Sequence, residues 1–381
     1  MLLVTIILGT RPEAIKLAPV IIKFAKSNYF KVRLILTGQH KEMVSQVLDL
    51  FQLKADKDLN LMTRNQTLTH ITSNSLIGLN KEFKDFRPDL VIVQGDTSTA
   101  FSASLAAFYE KIPIAHVEAG LRTSNFLSPF PEEANRRFIS QIASLHFAPT
   151  ELAEKNLQTC GISKNVFVTG NTVVDSLMII ASRAKKPKIL NLDWVRNRLI
   201  LVTIHRRENW GVNLKAITAA IKEISRKRQD ITFLIPMHKN EIVRETIVTS
   251  LSNTPNIFLT EPFNYAEQIG VLKECYLIIT DSGGLQEEAP TFGKPVLILR
   301  DNTERKEALQ AGSAKLIGTN QTNIINEIDK ILDNKHLYEK MTPTYNPFGD
   351  GKSSGRIFNH CYKYLKDKQP NNRISEIKKF I

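Results

Sequence analysis

Three acidic residues in the first half of the chain stand where proton transfer could be done. They are Asp96 in Gln94-Gly95-Asp96-Thr97, Glu118 in His116-Val117-Glu118-Ala119-Gly120, and Glu132 in Pro129-Phe130-Pro131-Glu132-Glu133. Each falls at the end of a strand-like run or the start of a helical one, and all three could face one cleft as acid/base groups. Helical spacing puts Arg136 one turn beyond Glu132 on the same face. Taken singly, each acid is equally well read as a helix cap or first-turn acid, and for Glu132 after Pro131 that reading is the better one. Together they favour acid/base chemistry.

A second set of residues suits an anion. Gly9-Thr10-Arg11-Pro12-Glu13-Ala14-Ile15-Lys16 is a glycine turn leading into a helix, with Arg11 in the loop and Lys16 in the first turns. The same segment also reads as a plain βα turn in which Glu13 favours the helix N-terminus. It is not Gly-x-Gly-x-x-Gly, so the dinucleotide fingerprint is absent. In the second half, His205-Arg206-Arg207-Glu208 and His238 follow strand-like runs. The run Thr280–Pro290 carries Ser282, Gly283 and Gly284, whose backbone amides would face a phosphate at a helix start. Glu288 lies one turn further in, where a carboxylate can accept ribose or sugar hydroxyls. A tight βα turn is the alternative there. His205 and Glu208 lack the His-Glu-x-x-His spacing, so no metal is expected. A looser cluster, Gly349, Gly351 and Gly355, reads as a loop.

These residues need a frame that holds them at strand ends. Short β-branched runs recur between helix-period segments: Val4–Leu8, Val32–Thr37, Leu90–Gln94, Pro113–Val117 and Val166–Thr169, then Leu199–Ile204, Thr232–Pro236, Ile257–Thr260, Leu277–Thr280 and Val296–Leu299. Such alternation predicts an α/β fold of two doubly wound parallel sheets, each covered by helices on both faces. The basic, aperiodic stretch Ser182–Lys188, with Pro187 inside it, is the expected hinge between domains 1–182 and 189–352. Ligands of open parallel sheets sit outside the carboxyl ends of the strands, which is where the candidate residues fall.

Composition narrows the partners. The 381 residues exceed one compact core. Apolar runs such as Leu2–Leu8 are far short of the roughly 20 residues that span a bilayer, and the start of the chain reads as a first strand and not a signal peptide. Three cysteines, Cys160, Cys275 and Cys361, are too widely spaced for a disulfide framework, and the expected compartment is the cytoplasm. Lys and Arg exceed Asp and Glu by 51 − 38 = 13, but the basic residues are spread out without interleaved aromatics. Neither nucleic acid nor a membrane surface is an expected partner; a diphosphate ligand is.

With these segments assembled, the chain closely resembles the non-hydrolysing UDP-N-acetylglucosamine 2-epimerases over nearly its whole length. The matching runs are Gly9–Lys16, Gln94–Thr97, His116–Thr123, Pro131–Arg136, His205–Glu208 and Asp281–Pro290. The resemblance implies a GT-B-like fold of two Rossmann-like domains with a C-terminal helix, Ser353–Leu365 within 353–381, packed back on the first. It also implies a homodimer and interconversion of UDP-GlcNAc and UDP-ManNAc for cell-surface polysaccharide, without a cofactor. Asp96, Glu118 and Glu132 match the acid/base set, and His205 and Arg11 the diphosphate partners, helped by Ser282, Gly283 and Gly284. Glu288 matches the ribose ligand, and Lys16, Arg136 and Arg305 further charged positions of the active site. Some family members bind a second UDP-GlcNAc as activator. Here Gln39, His40 and His238 match that pattern, while Glu42 and Asn65 depart from it. Gln268 replaces a larger apolar residue of the uracil pocket.

The C2 proton of such a sugar is not beside a carbonyl, so simple enolisation is unavailable. Elimination of UDP to a 2-acetamidoglucal, reprotonation on the opposite face and re-addition of UDP would invert C2. That route requires proton-moving groups and fixed positive charge or amides for the departing diphosphate. A 2-epimerase acting on another UDP-N-acetylamino sugar would keep every motif, and a GT-B glycosyltransferase would share the fold but need an acceptor.

Overall fold

The computed structural model describes residues 1–38, 41–61 and 66–368. The expectations placed on Gln39, His40, Asn65 and the polar tail from Pro370 lie outside them.

Strands β1 (Leu2–Leu8), β2 (Phe30–Leu36), β3 (Lys57–Asp58), β4 (Leu90–Gln94), β5 (Ile114–Val117), β6 (Leu145–Ala148) and β7 (Val166–Val168) form one sheet in the order β3-β2-β1-β4-β5-β6-β7. A second sheet has the order β10-β9-β8-β11-β12-β13, from β8 (Arg198–Thr203), β9 (Ile231–Pro236), β10 (Ile257–Thr260), β11 (Leu277–Thr280), β12 (Val296–Ile298) and β13 (Ala314–Leu316). The pairings are parallel in both sheets. That geometry demands crossover helices, and the near-continuous apolar strands, buried on both faces, are its usual consequence. Each sheet reverses direction of winding once, between β1 and β4 and between β8 and β11. Those are the topological switch points at which doubly wound sheets bind ligands.

By compactness the chain divides into Met1–Ser176 with the segment from Gly349, and Leu177–Phe348. The division falls inside the helix Thr172–Ala181, a few residues before the basic stretch Ser182–Lys188, which carries no regular secondary structure. Charge and proline mark where regular structure stops, whereas the division follows packing.

Within the first unit, the helix Ser353–Lys368 lays Ile357, Cys361 and Leu365, spaced by four, against the body. Phe358 meets Phe24 and Phe30 at centroid separations of 5.1 and 5.4 Å. Its N-terminus is capped by the Asp175 carboxylate, which accepts from Ser353 N at 3.1 Å, Ser354 N at 2.8 Å and the Ser354 hydroxyl at 2.7 Å. Gly355 therefore lies in a helix, not in the loop expected for its glycine cluster; Gly349 and Gly351 keep positive φ and turn the chain into it. The second unit buries Ile217, Ile221 and Ile224 of the helix Val212–Lys227 against one face of its sheet. Val271, Leu272, Leu285 and Ala289 cover the other.

Candidate active site

The switch point of the first sheet gathers four of the six candidates from that unit into two ion pairs. After β1, the helix Arg11–Ala25 begins under a capping box. The Glu13 carboxylate accepts from Gly9 N at 2.9 Å, Thr10 N at 2.6 Å and the Thr10 hydroxyl at 2.9 Å, and from the Thr97 hydroxyl at 2.5 Å. Burial pushes the Glu13 carboxyl above its ordinary range, opposed by these bonds. Glu13 thus fills the structural role that was its alternative reading. Arg11, half-buried, is the first residue of the helix, and Lys16, five residues on, is buried.

Lys16 Nζ donates to Glu118 Oε2 at 2.6 Å. Glu118, the residue after β5, has φ of +63°, a left-handed conformation that costs a non-glycine residue free energy and persists only where the surroundings impose it. The turn continues through Gly120, φ +92°, where a Cβ would lie 2.1 Å from the Ala153 carbonyl oxygen. Only glycine fits there.

Asp96, past the end of β4, is gripped by Arg136. Nε donates to Oδ2 at 2.9 Å and Nη2 donates to the same oxygen. Asn135 Nδ2 binds the Asp96 carbonyl at 2.9 Å. Arg136 also pairs with Glu133 at 3.1 Å, and buried Glu133 accepts from Arg137 and from the Thr123 amide. Arg136 is therefore positioned by Asp96 and Glu133. Glu132, half-buried, is the first residue of the helix Glu132–Ile142, one turn before Arg136. Below Asp96, His116 Nε2 lies 2.8 Å from the Gly95 carbonyl oxygen, and burial pushes its pKa down to about 3. A neutral ring that donates to this carbonyl follows.

The second unit repeats the plan at its own switch point. Asp281, after β11, is fully buried and accepts from His205 N at 3.0 Å, Arg206 N at 3.0 Å and Asn209 Nδ2 at 2.8 Å. It ties the loop after β8 to the loop after β11. The His205 ring is left exposed, 5.6 Å from the His238 ring. Ser282 stands just before the helix Gly283–Glu288 and, with Gly283 and Gly284, is half-exposed, while Glu288 is buried. A Cβ on Gly283 would come within 3.1 Å of the Arg305 guanidinium carbon, so the helix start and Arg305 are in close approach. Arg305 is already engaged by Glu287 at 2.9 Å and Glu304 at 2.5 Å. Burial opposes ionisation of Glu304, yet Arg305, Arg300 and Arg206 hold its carboxyl well below the usual range. Glu208 pairs with Arg300 at 3.0 Å, which accounts for a carboxylate that could have been taken for a metal ligand beside His205. Gln268 is half-buried on the helix Tyr265–Glu274.

Sequence reasoning missed Gln94, Glu133, Asp281 and Glu304 as organising residues. Gln94 and Asp281 gave one signal, an amide or charged side chain at the end of an apolar strand run, a position that demands a partner once buried, whereas Glu133 and Glu304 gave none.

Among the described residues, no helix is long and apolar enough to cross a membrane.

Two Rossmann-like sheets in one chain, each with polar and charged residues collected at its switch point, define a two-domain α/β protein of GT-B type. Its amino-acid pattern is narrower than that class. The chain belongs to the UDP-N-acetylglucosamine 2-epimerase family, whose model matches residues 22–361. It is 47% identical over 356 residues to the UDP-N-acetylglucosamine 2-epimerase of Neisseria meningitidis serogroup A, covering 91% of this chain and 96% of that one. The crystal structure of UDP-GlcNAc 2-epimerase from Neisseria meningitidis bound to UDP-GlcNAc is similar with a TM-score of 0.88 at 45% identity, covering 95% and 100% of the two chains. The Methanocaldococcus jannaschii UDP-GlcNAc 2-epimerase, in complex with UDP-GlcNAc and UDP, gives 0.81 at 36% identity, covering 95% and 99%.

Proposed function

We propose that the protein is a non-hydrolysing UDP-GlcNAc 2-epimerase that interconverts UDP-GlcNAc and UDP-ManNAc by anti elimination of UDP and re-addition after reprotonation at C2. The observation that carries this reading is the pair of cation-held carboxylates at one switch point, buried Glu118 with Lys16 and half-buried Asp96 with Arg136. Elimination at C2 needs groups that take and return a proton without water competing, and these are such groups. Asp96, Glu118 and Glu132 serve as the acid/base set. In the second unit, Ser282, Gly283, Gly284 and His205 hold the diphosphate, and Glu288 accepts the ribose hydroxyls. Amides at a helix start and a nearby imidazole stabilise a leaving UDP as its charge develops.

Membership of the family and relatives solved with UDP-GlcNAc bound support the substrate class. The same reading makes the protein a cytoplasmic homodimer whose product supplies cell-surface polysaccharide. The test is chromatography of UDP-GlcNAc incubated with the protein alone. Appearance of UDP-ManNAc with no acceptor present supports an epimerase. Turnover only when an acceptor is added would make it a glycosyltransferase instead.

A further inference from the structure

Gln94 breaks the apolar pattern of Leu90-Val91-Ile92-Val93-Gln94 at the last position of β4, yet it is 4% exposed. A buried amide at that place needs a partner. Across the parallel pair β4–β5 its register partner is Val117, so the amide arrives beside the next residue, Glu118. Its Nε2 donates to Glu118 Oε2 at 2.5 Å, the same oxygen that receives Lys16 Nζ at 2.6 Å. Glu118 is the residue held in the left-handed conformation, so three separate features converge on one carboxylate: strain in its backbone, a cation and a neutral donor.

We infer that Gln94 is a positioning residue for Glu118, fixing Oε2 against Lys16 so that the carboxylate enters turnover ionised and in one orientation, as a proton acceptor. The inference rests on the epimerase reading above and assigns Glu118 a starting state within it. Two donors on one oxygen favour the charged form of a carboxylate and remove its rotational freedom. A neutral amide does this without adding a second cation that would hold the proton-transfer group too firmly. Were Gln94 only a filler at the strand end, an apolar residue would complete the run and Lys16 would suffice for charge balance.

The experiment follows C2 hydrogen–deuterium exchange and epimerisation across pH in the full-length protein and in Gln94→Leu and Gln94→Glu. Gln94→Leu removes the donor at similar size. The expected result is kcat reduced about 10- to 100-fold, the value of a hydrogen bond to a charged group, with KM little changed and the acid limb of the profile moved to higher pH. Gln94→Glu keeps the side chain polar and nearly isosteric, and puts two carboxylates together that must share a proton, so its acid limb moves further in the same direction. If Gln94→Leu does not fold, Gln94→Glu alone carries the test. A lowered melting temperature with an unmoved acid limb in a folded variant means a structural role and overturns the inference. Wild-type protein that exchanges no C2 proton overturns the epimerase reading and this inference with it; active wild type with unshifted variants overturns this inference alone.

Discussion

Lys16 Nζ and Glu118 Oε2 meet at 2.6 Å, although the two residues are 102 positions apart and stand on the segments that follow β1 and β5. Both side chains are nearly out of solvent, so breaking the pair by removing one member leaves a buried charge without its partner. Lys16→Met is expected to lower stability by about 3–5 kcal/mol, and Glu118→Gln added to it is expected to restore part of that loss. Urea denaturation of the two single variants and the double variant checks the coupling. Strictly additive effects would mean that the pair contributes nothing as a pair.

Each proposed acid/base carboxylate can be neutralised at constant shape. Asp96→Asn, Glu118→Gln and Glu132→Gln are expected to lower turnover by roughly 10²- to 10⁴-fold while the circular dichroism spectrum stays that of the parent. Near-parental turnover in all three would remove these residues from the chemistry.

Gly9 has no room for a side chain. A Cβ there would lie 2.2 Å from the Thr99 hydroxyl oxygen and 2.7 Å from the Thr99 Cβ, within the turn that sets Arg11 and Lys16. Gly9→Ala is expected to cost about 1–3 kcal/mol and to reduce turnover, because the helix start must shift. The thermal midpoint and the rate measured together decide this; an unchanged pair would show that the turn has slack.

Acid should weaken the first unit through two buried histidines. Burial pushes His116 down to about 3 and His146 down to about 4 from an ordinary 6.5. Their stabilising contribution is complete above pH 6.5. It declines as pH falls, because the unfolded chain takes up protons that the folded one refuses, and is exhausted below about pH 3. His146→Gln cannot titrate, so its melting temperature should fall less steeply between pH 6.5 and pH 4. An identical slope would mean that His146 is protonated in the fold.

The architecture was readable because parallel strands covered on both faces must be continuous apolar runs, and runs such as Leu90–Gln94 and Leu277–Thr280 announce themselves. The strands that escaped notice had no such run. β3 is only Lys57–Asp58, β6 carries His146 among its four residues, and β13 is the three residues Ala314–Leu316. The candidate residues could be picked out for the same reason, since the positions that follow strand ends are where open parallel sheets bind ligands. The wiring of the candidate site was not legible: Arg136 reaches Asp96, Gln94 reaches Glu118 and Arg206 reaches Glu304 through contacts between distant segments. No local spacing encodes such contacts. Arg305, singled out for a ligand, is also held by Glu287 and Glu304, partners that its surrounding sequence did not announce.

The central claim is that this protein moves the proton at C2 of a UDP-N-acetylamino sugar, and proton NMR of UDP-GlcNAc with the protein in deuterated water tests it most directly. The account predicts deuterium entering C2 together with signals of the mannosamine epimer, with no acceptor added. Full retention of the C2 proton in UDP-GlcNAc and in related UDP-sugars would contradict it.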